Sequence, residues 1–595
     1  VRRPMAISTD SSPTVNHNRL LRRDVFFGAL IFALSLSVLR CAPVQQAGDS
    51  RYTMLLAENL IRHGEFALDR YGLPEHDYRI EHANGHDYYS FPPGSPVLSV
   101  PFVAAMHFRG VSVVAPDGSY QPARELALDR NLAGLLMAVF ATLAYASSRL
   151  LLPVGWSFVA ACVSTFGTQV FSTASRSMWS DTWGIVLVSV AVLLLLRSAV
   201  KSAPLHVPLL ATLQSLAYFV RPTNSLVLVG TIVYLVCIHR KAIWTYVAVL
   251  AFWLSVFVYY SWSHFHTVLP KYFATGRLHF PGPQGALIGN LISPSRGLFV
   301  YVPAVIAIGL ALIRSWRYVR FRALAALAAF VICGHLVMLA GFGHWWGGHS
   351  YGARLTTSLV PWFLLLGVLA VDASRRAMLR GRRPADVAVD AVAAVLCVAS
   401  IVMNGIGAFS WDANYWNGTP NNVDLAPERL WSWRHPQFAA AFAKPEGPFP
   451  PMPAGGLALG TAASDPYLGA GWADGERDFR WAVGREDSVV RFRVPEARSG
   501  TLEMDLGAYL LPGKLPEQRL IVSMNDREIA DLSIQKRAFD VYRFVVPDGV
   551  MREANVLCLR HPDAASPAAL EGKRDSRLLG MIVRSIRWRS EGPAP

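Results

Sequence analysis

The sequence predicts a polytopic α-helical membrane protein of about eleven spans with a C-terminal β-sandwich. Three observations predict it. Only 16% of the 595 residues are charged while 52% are hydrophobic, against about 25% charged in an ordinary soluble domain. Apolar runs of the length a bilayer requires recur through the first 409 positions. Beyond them the long runs stop, and short alternating stretches take over, which is the period of strands with one buried face.

The apolar runs fall at 25–43, 131–149, 155–172, 182–197, 205–221, 223–238, 242–262, 298–313, 323–341, 355–372 and 387–409. The first follows an Arg-rich start. The "RCAPVQQ" after it lacks a small-x-small cleavage pattern, so it reads as a retained span. Four of the six cysteines, Cys162, Cys237, Cys333 and Cys397, sit inside apolar runs, and no zinc spacing is present. That excludes a disulfide framework. Pro96 to Phe108 is too short to span and carries Pro101 and His107, so it reads as a helix lying in the interface.

The formal charge is +15. Such an excess marks nucleic-acid binding, an anionic surface, or the loop charges that orient a membrane protein. With the N-terminus inside, the inner segments hold 19 Lys and Arg against 4 acids, and the rest of the chain holds 37 of each. The excess is therefore an orientation signal, and a nucleic-acid partner is not expected. Residues 1–24 become a cytosolic segment and 25–409 a transmembrane domain with a large outer loop at 44–130. Residues 410–460 read as a linker with amphipathic segments, and 461–595 as an outer β-sandwich. The strands of the last are "SVVRFRV", "TLEMDL", "RLIVSMN", "YRFVVP", "NVLCLR" and "GMIVRSIRW", with Asn525 and Asp526 in a turn. Trp472 and Trp481 there are either sugar platforms or core residues.

The outer loops hold the residues that could carry chemistry. Asp49 follows the first span. It is either the N-cap of a short helix from Arg51 to Arg62, shared with Ser50, or a carboxylate facing a cavity. Asp181 stands at the mouth of another span, where a charge is costly unless paired or wet; it is either a carboxylate facing the cavity or an interfacial Asp beside Trp179 and Trp183 in an aromatic belt. Arg221 lies near the outer face, as a headgroup ligand or a snorkelling residue. The next outer loop offers His264, His266, Lys271, Arg277 and Arg296. "GFGHWWGGHSYGARL" then concentrates His344, Trp346, His349, Tyr351 and Arg354 among five glycines. Trp faces stack on sugar rings, a guanidinium fork suits phosphate oxygens, and glycine permits close approach. His335, inside a span, reads as a helix-packing residue. Cations, carboxylates and aromatics gathered on one face suit group transfer from a lipid phosphate, with a carboxylate as base on an acceptor hydroxyl.

With these residues the chain resembles the GT-C fold glycosyltransferases, integral membrane enzymes that include the protein mannosyltransferases and the lipid A aminoarabinose transferase. "DSRYTMLLAENLIRHG" from Asp49 to Gly64 is similar to the family's D-x-x-Y-x-x-x-A-x-x-L-x-x-x-G, with one residue more between Tyr52 and Ala57. "FPPGSP" at 91–96 is similar to its proline pair, "RNLAGLL" to the start of its next span, and Asp181 to its second acid. "SPSRGLFVYVP" and "WWGGHSYGARL" resemble a broad group of bacterial family-39-type enzymes. "GWADGERDFRWAVG" and "DSRLLGMIVRSI" resemble the carbohydrate-binding-like sandwich that ends some of them. The resemblance implies inverting transfer of a sugar from a polyprenyl-phosphate donor to a glycan, lipid or protein acceptor outside a bacterial plasma membrane. Asp49 would act as base and Asp181 would shape the same cavity. Lys271, Arg296, Arg354 and Arg221, with His344, Trp346, His349 and Tyr351, would bind donor phosphate and sugar. The family works both with and without a divalent cation. A lipid-linked oligosaccharide ligase or polymerase is the alternative enzyme, and a lipid-glycan flippase the non-enzymatic one.

Overall fold

The computed structural model describes residues 13–46, 48–73, 77–274, 278, 283–379, 381, 384–418, 423–424, 426–442, 449–469, 471–484, 487–494, 500–525, 527–573, 575 and 577–590. Arg277 and Asp526 therefore lie outside the described residues.

Each apolar run falls on helix. Among the described residues seven helices are long and apolar enough to cross a membrane: Arg22–Cys41, Arg124–Arg149, Ser180–Lys201, Arg240–Phe265, Arg322–Ala340, Arg354–Met378 and Val387–Phe409. Shorter apolar helices are Val154–Phe166, Val207–Val220 and Pro222–Ile238. Their lengths follow from local chemistry. Val207–Val220 stops before Pro222, which disfavours helical geometry at the residue preceding it. The run at 298–313 divides into Leu298–Tyr301 and Ala304–Ser315 around Pro303. Val154–Phe166 ends at Gly167 and is followed by a π-turn at Val170–Ala174.

Two of the long helices, Arg240–Phe265 and Val387–Phe409, bury only 11% of their apolar windows inside the protein. Trp244, Phe252, Tyr259, Val395 and Val402 are exposed on them. Apolar surface on this scale has no place in water. The build is that of a membrane helical protein with a sheet domain. The core divides into two clusters. One centres on the first helix and Pro122–Arg149, the other on Ser180–Lys201, Val207–Val220 and Val360–Met378.

The segment between the first two long helices is folded over one end of the bundle. It contains helix Thr53–His63, a hairpin of β1 (Ile80–Ala83) and β2 (His86–Tyr89), and helix Gly94–His107, which covers the weak run at 96–108. Neither Asp49 nor Ser50 caps Thr53–His63, which corrects one of the two readings of Asp49. The cap is Glu125, from the next long helix. Its carboxylate accepts from the backbone N–H of Tyr52 at 3.1 Å, Met54 at 2.8 Å and Leu55 at 3.2 Å, and from the Tyr120 hydroxyl. A helix start leaves such donors unpaired, and a buried carboxylate is their strongest acceptor. Asp49 is thereby released from structural duty.

The tail is a two-sheet sandwich. β3 (Leu457–Ala458), β4 (Trp472–Glu476), β5 (Phe479–Val483), β6 (Ser488–Arg493), β7 (Gly500–Ala508), β8 (Gln518–Met524), β9 (Arg527–Ile534), β10 (Asp540–Val546), β11 (Ala554–Arg560) and β12 (Leu579–Ser590) form it. One sheet runs β10-β7-β12-β5-β4 with β3 also on β12, and the other β6-β11-β8-β9, with antiparallel pairs throughout. Val490, Phe492, Leu557 and Val522 of one sheet meet Met504, Leu506, Met581 and Val583 of the other in a single core. All six expected strands are present. Asn525 takes the left-handed conformation that its turn requires, φ 51°. Trp472 packs against this core and donates its Nε1–H to the Val489 carbonyl at 2.9 Å, while Trp481 packs on Phe479 and Tyr509.

Candidate functional site

Alternating helix polarity brings Asp49, Asp181, Arg221 and the glycine-rich loop at 341–354 to one end of the bundle. The centre is Asp49. Its Oδ2 accepts from Arg354 Nη2 at 2.7 Å and its Oδ1 from the Tyr78 hydroxyl at 3.3 Å. The carboxylate side chain is 32% exposed and that of the arginine 11%, so the acid is open while the cation is held.

Arg354 opens a 3-10 turn, Arg354–Leu359, ahead of helix Val360–Met378. Its guanidinium lies over the Trp179 ring, 3.6 Å from the centroid, and Nη1 donates to the Gly347 carbonyl at 2.9 Å. This combines stacking, ion pairing and hydrogen bonding, which lysine could not reproduce. Arg354 Nε is buried and has no hydrogen-bond partner among the described residues. Gly48 makes the arrangement fit, because a Cβ there would come within 2.4 Å of the Trp179 ring. Trp179 in turn donates to Gln46 at 3.2 Å.

The backbone around Asp49 is clamped. Arg79 Nε donates to the Gly48 carbonyl at 2.9 Å, and the Tyr89 hydroxyl donates to the Asp49 carbonyl at 2.5 Å. Arg79 is itself paired with Asp77 at 3.0 Å and lies over the Tyr78 ring. Burial, then the Asp49 carboxylate beside it, pushes the Tyr78 phenol up to about 12. Tyr78 therefore stays protonated at neutral pH and remains a donor.

Asp181, two residues after Trp179, is differently used. Its side chain is fully buried between the Arg221 guanidinium and the Ser358 hydroxyl. Arg221 also reaches Ser180 at 3.3 Å. This corrects both readings of Arg221: it neither snorkels nor waits for a headgroup, because its charge neutralises Asp181. The 3-10 turn thus grips both acids, Asp49 through Arg354 and Asp181 through Ser358.

Arg296, expected among the phosphate ligands, is buried with its donors committed. They reach the carbonyls of Trp346 at 2.8 Å, Ser295 at 2.8 Å and Gly348 at 3.2 Å, Gln437 Oε1 at 2.5 Å and Asn417 Oδ1 at 2.7 Å. It scaffolds the glycine-rich loop from below. Gln437 completes the scaffold, accepting from the Gly352 N–H at 3.0 Å and donating to the Ser350 and Ala413 carbonyls at 2.9 and 3.0 Å. Ala413, Asn417 and Gln437 thus tie the stretch after the last long helix into this end of the bundle, as more than a plain linker. Gly347, Gly348 and Gly352 have φ of 70°, 64° and 56°, and a Cβ on Gly352 would meet the Tyr301 ring at 2.4 Å.

The remaining predicted residues divide. Tyr351 is buried, with its hydroxyl on the Met403 carbonyl at 2.7 Å. Trp346 donates to Asp424 at 2.6 Å, His349 lies 3.7 Å from that carboxylate, and the exposed His344 ring packs on Trp346. These three form a face beside the Arg354–Gly347 contact. Lys271 is exposed at the start of the turn Lys271–Phe273. Tyr272, Phe91 and Tyr78 stand in sequence from it to Asp49. His335 donates its Nε2–H to the Leu355 carbonyl at 2.9 Å, as a packing residue. Among the described residues no three of His, Cys, Asp and Glu converge as a metal site.

Sequence reasoning missed Tyr78, Trp179, Asp424 and Gln437 as parts of this end. Trp179 was visible only as an aromatic-belt residue, and the others carried no pattern.

No family model and no curated protein matches the chain. Among solved structures, a family GH115 4-O-methyl-α-glucuronidase with specificity for decorated arabinogalactans is similar at 12% identity and a TM-score of 0.15. The match covers 38% of this chain and 32% of that one, so the chain spans about a third of that enzyme's length. A likeness at that score carries no argument about activity.

Proposed function

We propose that the chain is an integral membrane glycosyltransferase of GT-C type. It moves a sugar from a polyprenyl-phosphate donor to an extracytoplasmic glycan, lipid or protein acceptor. In this reading the eleven helical runs span the membrane, the N-terminus is cytoplasmic, and the Asp49 end and the sandwich face outward. The observation that carries it is Asp49 itself: a part-exposed carboxylate, freed from capping by Glu125 and fixed by Arg354 and Tyr78.

In the proposed step Asp49 takes the proton of an acceptor hydroxyl. The acceptor oxygen bonds to the anomeric carbon from the face opposite the phosphate, the carbon–oxygen bond to phosphate breaks, and configuration inverts. Polyprenyl phosphate leaves with the electron pair. In this reading Arg354 holds the base through Nη2, and its guanidinium charge offsets that of the donor phosphate. The His344, Trp346 and His349 face would receive the sugar. Asp181 and Arg296 act through structure: one anchors the turn that carries Arg354, the other supports the loop.

The test is transfer by purified full-length chain in lipid nanodiscs, with radiolabelled donors in which one sugar is joined to polyprenyl monophosphate or an oligosaccharide to polyprenyl diphosphate. Envelope extract supplies acceptors. Labelled product from the monophosphate donors only is expected. Product from the diphosphate donors only would replace this reading with a ligase or polymerase.

A further inference from the structure

At the end of the bundle opposite Asp49, the C-terminal ends of Ser180–Lys201 and Ser225–Ile238 meet the N-terminal end of Arg322–Ala340. A cavity of about 490 Å³ opens between them. Its walls are of two kinds. Ile238, Phe321 and Leu324 give an apolar side, and His239, Arg320 and Arg322 a basic one.

The basic groups are unequally committed. Arg320 pairs with Asp372 at 3.2 Å, a carboxylate it shares with Arg376 at 3.0 Å. Arg322 has no carboxylate partner among the described residues, and its guanidinium makes a long 3.4 Å bond to the Arg317 carbonyl. One acid thus faces two guanidinium groups, with a third left over beside it. The segment Trp316–Phe321 carries Arg317 and Arg320 and begins with a 3-10 turn at Trp316–Tyr318, and Arg322 opens the helix that follows, with its guanidinium 5.9 Å from the Trp316 ring centroid.

We propose that this cavity seats the phosphate headgroup of an anionic phospholipid, with the upper acyl chain against Ile238, Phe321 and Leu324. The inference rests on the helices being membrane spans, but not on the transfer reaction. A basic pocket between span ends has the charge and the depth for a lipid phosphodiester at the bilayer surface. The guanidinium of Arg322 supplies a forked donor and Arg320 a second, while the apolar wall continues directly into lipid-facing helix surface. A soluble phosphate would use the cations but gain nothing from that wall. Bound there, the lipid would tie three helix ends together and stabilise the folded state in proportion to its affinity.

The test is native mass spectrometry of the full chain released from micelles, titrated with phosphatidylglycerol or phosphatidylcholine, together with thermal melts in the same mixtures. Phosphatidylglycerol is expected to bind at least ten-fold more tightly than phosphatidylcholine and to raise Tm, with inorganic phosphate leaving Tm unchanged. Arg322→Gln should remove most of the preference, and Arg322→Lys should keep most of it. Because Arg322 has no acidic partner to orphan, loss of folding is not the expected effect of Arg322→Gln. If that variant is unstable, the Arg322→Lys and Arg320→Gln pair reads the same preference. Equal binding of the two lipids, an undiminished preference in Arg322→Gln, or protection by inorganic phosphate equal to that by lipid would overturn the proposal.

Discussion

Replacing Asp49 with asparagine is expected to lower sugar transfer by a factor of about 10² to 10⁴, the range of a lost general base. Folding should be almost untouched. The Asp49–Arg354 pair is partly exposed, and such pairs contribute about 1 kcal/mol or less to stability. Asparagine keeps the size and an acceptor oxygen for Tyr78, so the loop at 48–50 stays in place on Trp179. What it loses is the charge and the ability to take a proton. Asp49→Glu keeps the charge but lengthens the side chain by one methylene. It is expected to retain more activity than the asparagine variant and less than the native chain. The check is single-turnover transfer alongside thermal melts of each variant. Native rates from a well-folded Asp49→Asn chain would remove Asp49 as the base.

Arg221→Met is expected to produce the largest loss of stability of any single change at this end, about 3–5 kcal/mol. It leaves the Asp181 carboxylate fully buried with only Ser358 and no countercharge. Asp181→Asn is expected to cost less, because a neutral amide can still bond to both partners. The double variant Asp181→Leu/Arg221→Met should recover much of the loss, since no charge is then left in the interior. Denaturation of the native chain, Arg221→Met, Asp181→Leu and the double variant in the same detergent gives the coupling directly. A double variant as unstable as Arg221→Met would show that the pair is not a closed unit. An Asp181→Asn chain with native stability and no transfer would instead give Asp181 a direct part in the reaction.

The difference between these two acids was not legible in the sequence. Both stand at the ends of apolar runs, and both match the spacing of the resembled family. What separates them is their partners, and those come from far along the chain. Glu125 takes over the helix cap about 75 residues after Asp49, and Arg221 neutralises Asp181 from the end of the next helix. Hydrophobic length and period, by contrast, are local, so the helices and six sandwich strands could be read directly. The same logic explains Arg296. A forked cation in a loop of glycines and prolines looks like a phosphate ligand until Gln437 and Asn417, in a stretch with no periodic signal, use up its donors. Trp179 gave a signal, but an ambiguous one, since an aromatic at a span end also suits a lipid interface.

The central claim is that a lipid-linked sugar phosphate reacts beside Asp49 and Arg354. Its most direct test is electron cryo-microscopy of the full chain in nanodiscs with a non-hydrolysable polyprenyl-phosphonate sugar. The account predicts phosphonate oxygens within hydrogen-bond reach of Arg354, roughly 3 Å, and the sugar against Trp346, with its anomeric carbon facing Asp49. Density for the headgroup at the opposite end of the bundle, or at this end but out of reach of both residues, would contradict it.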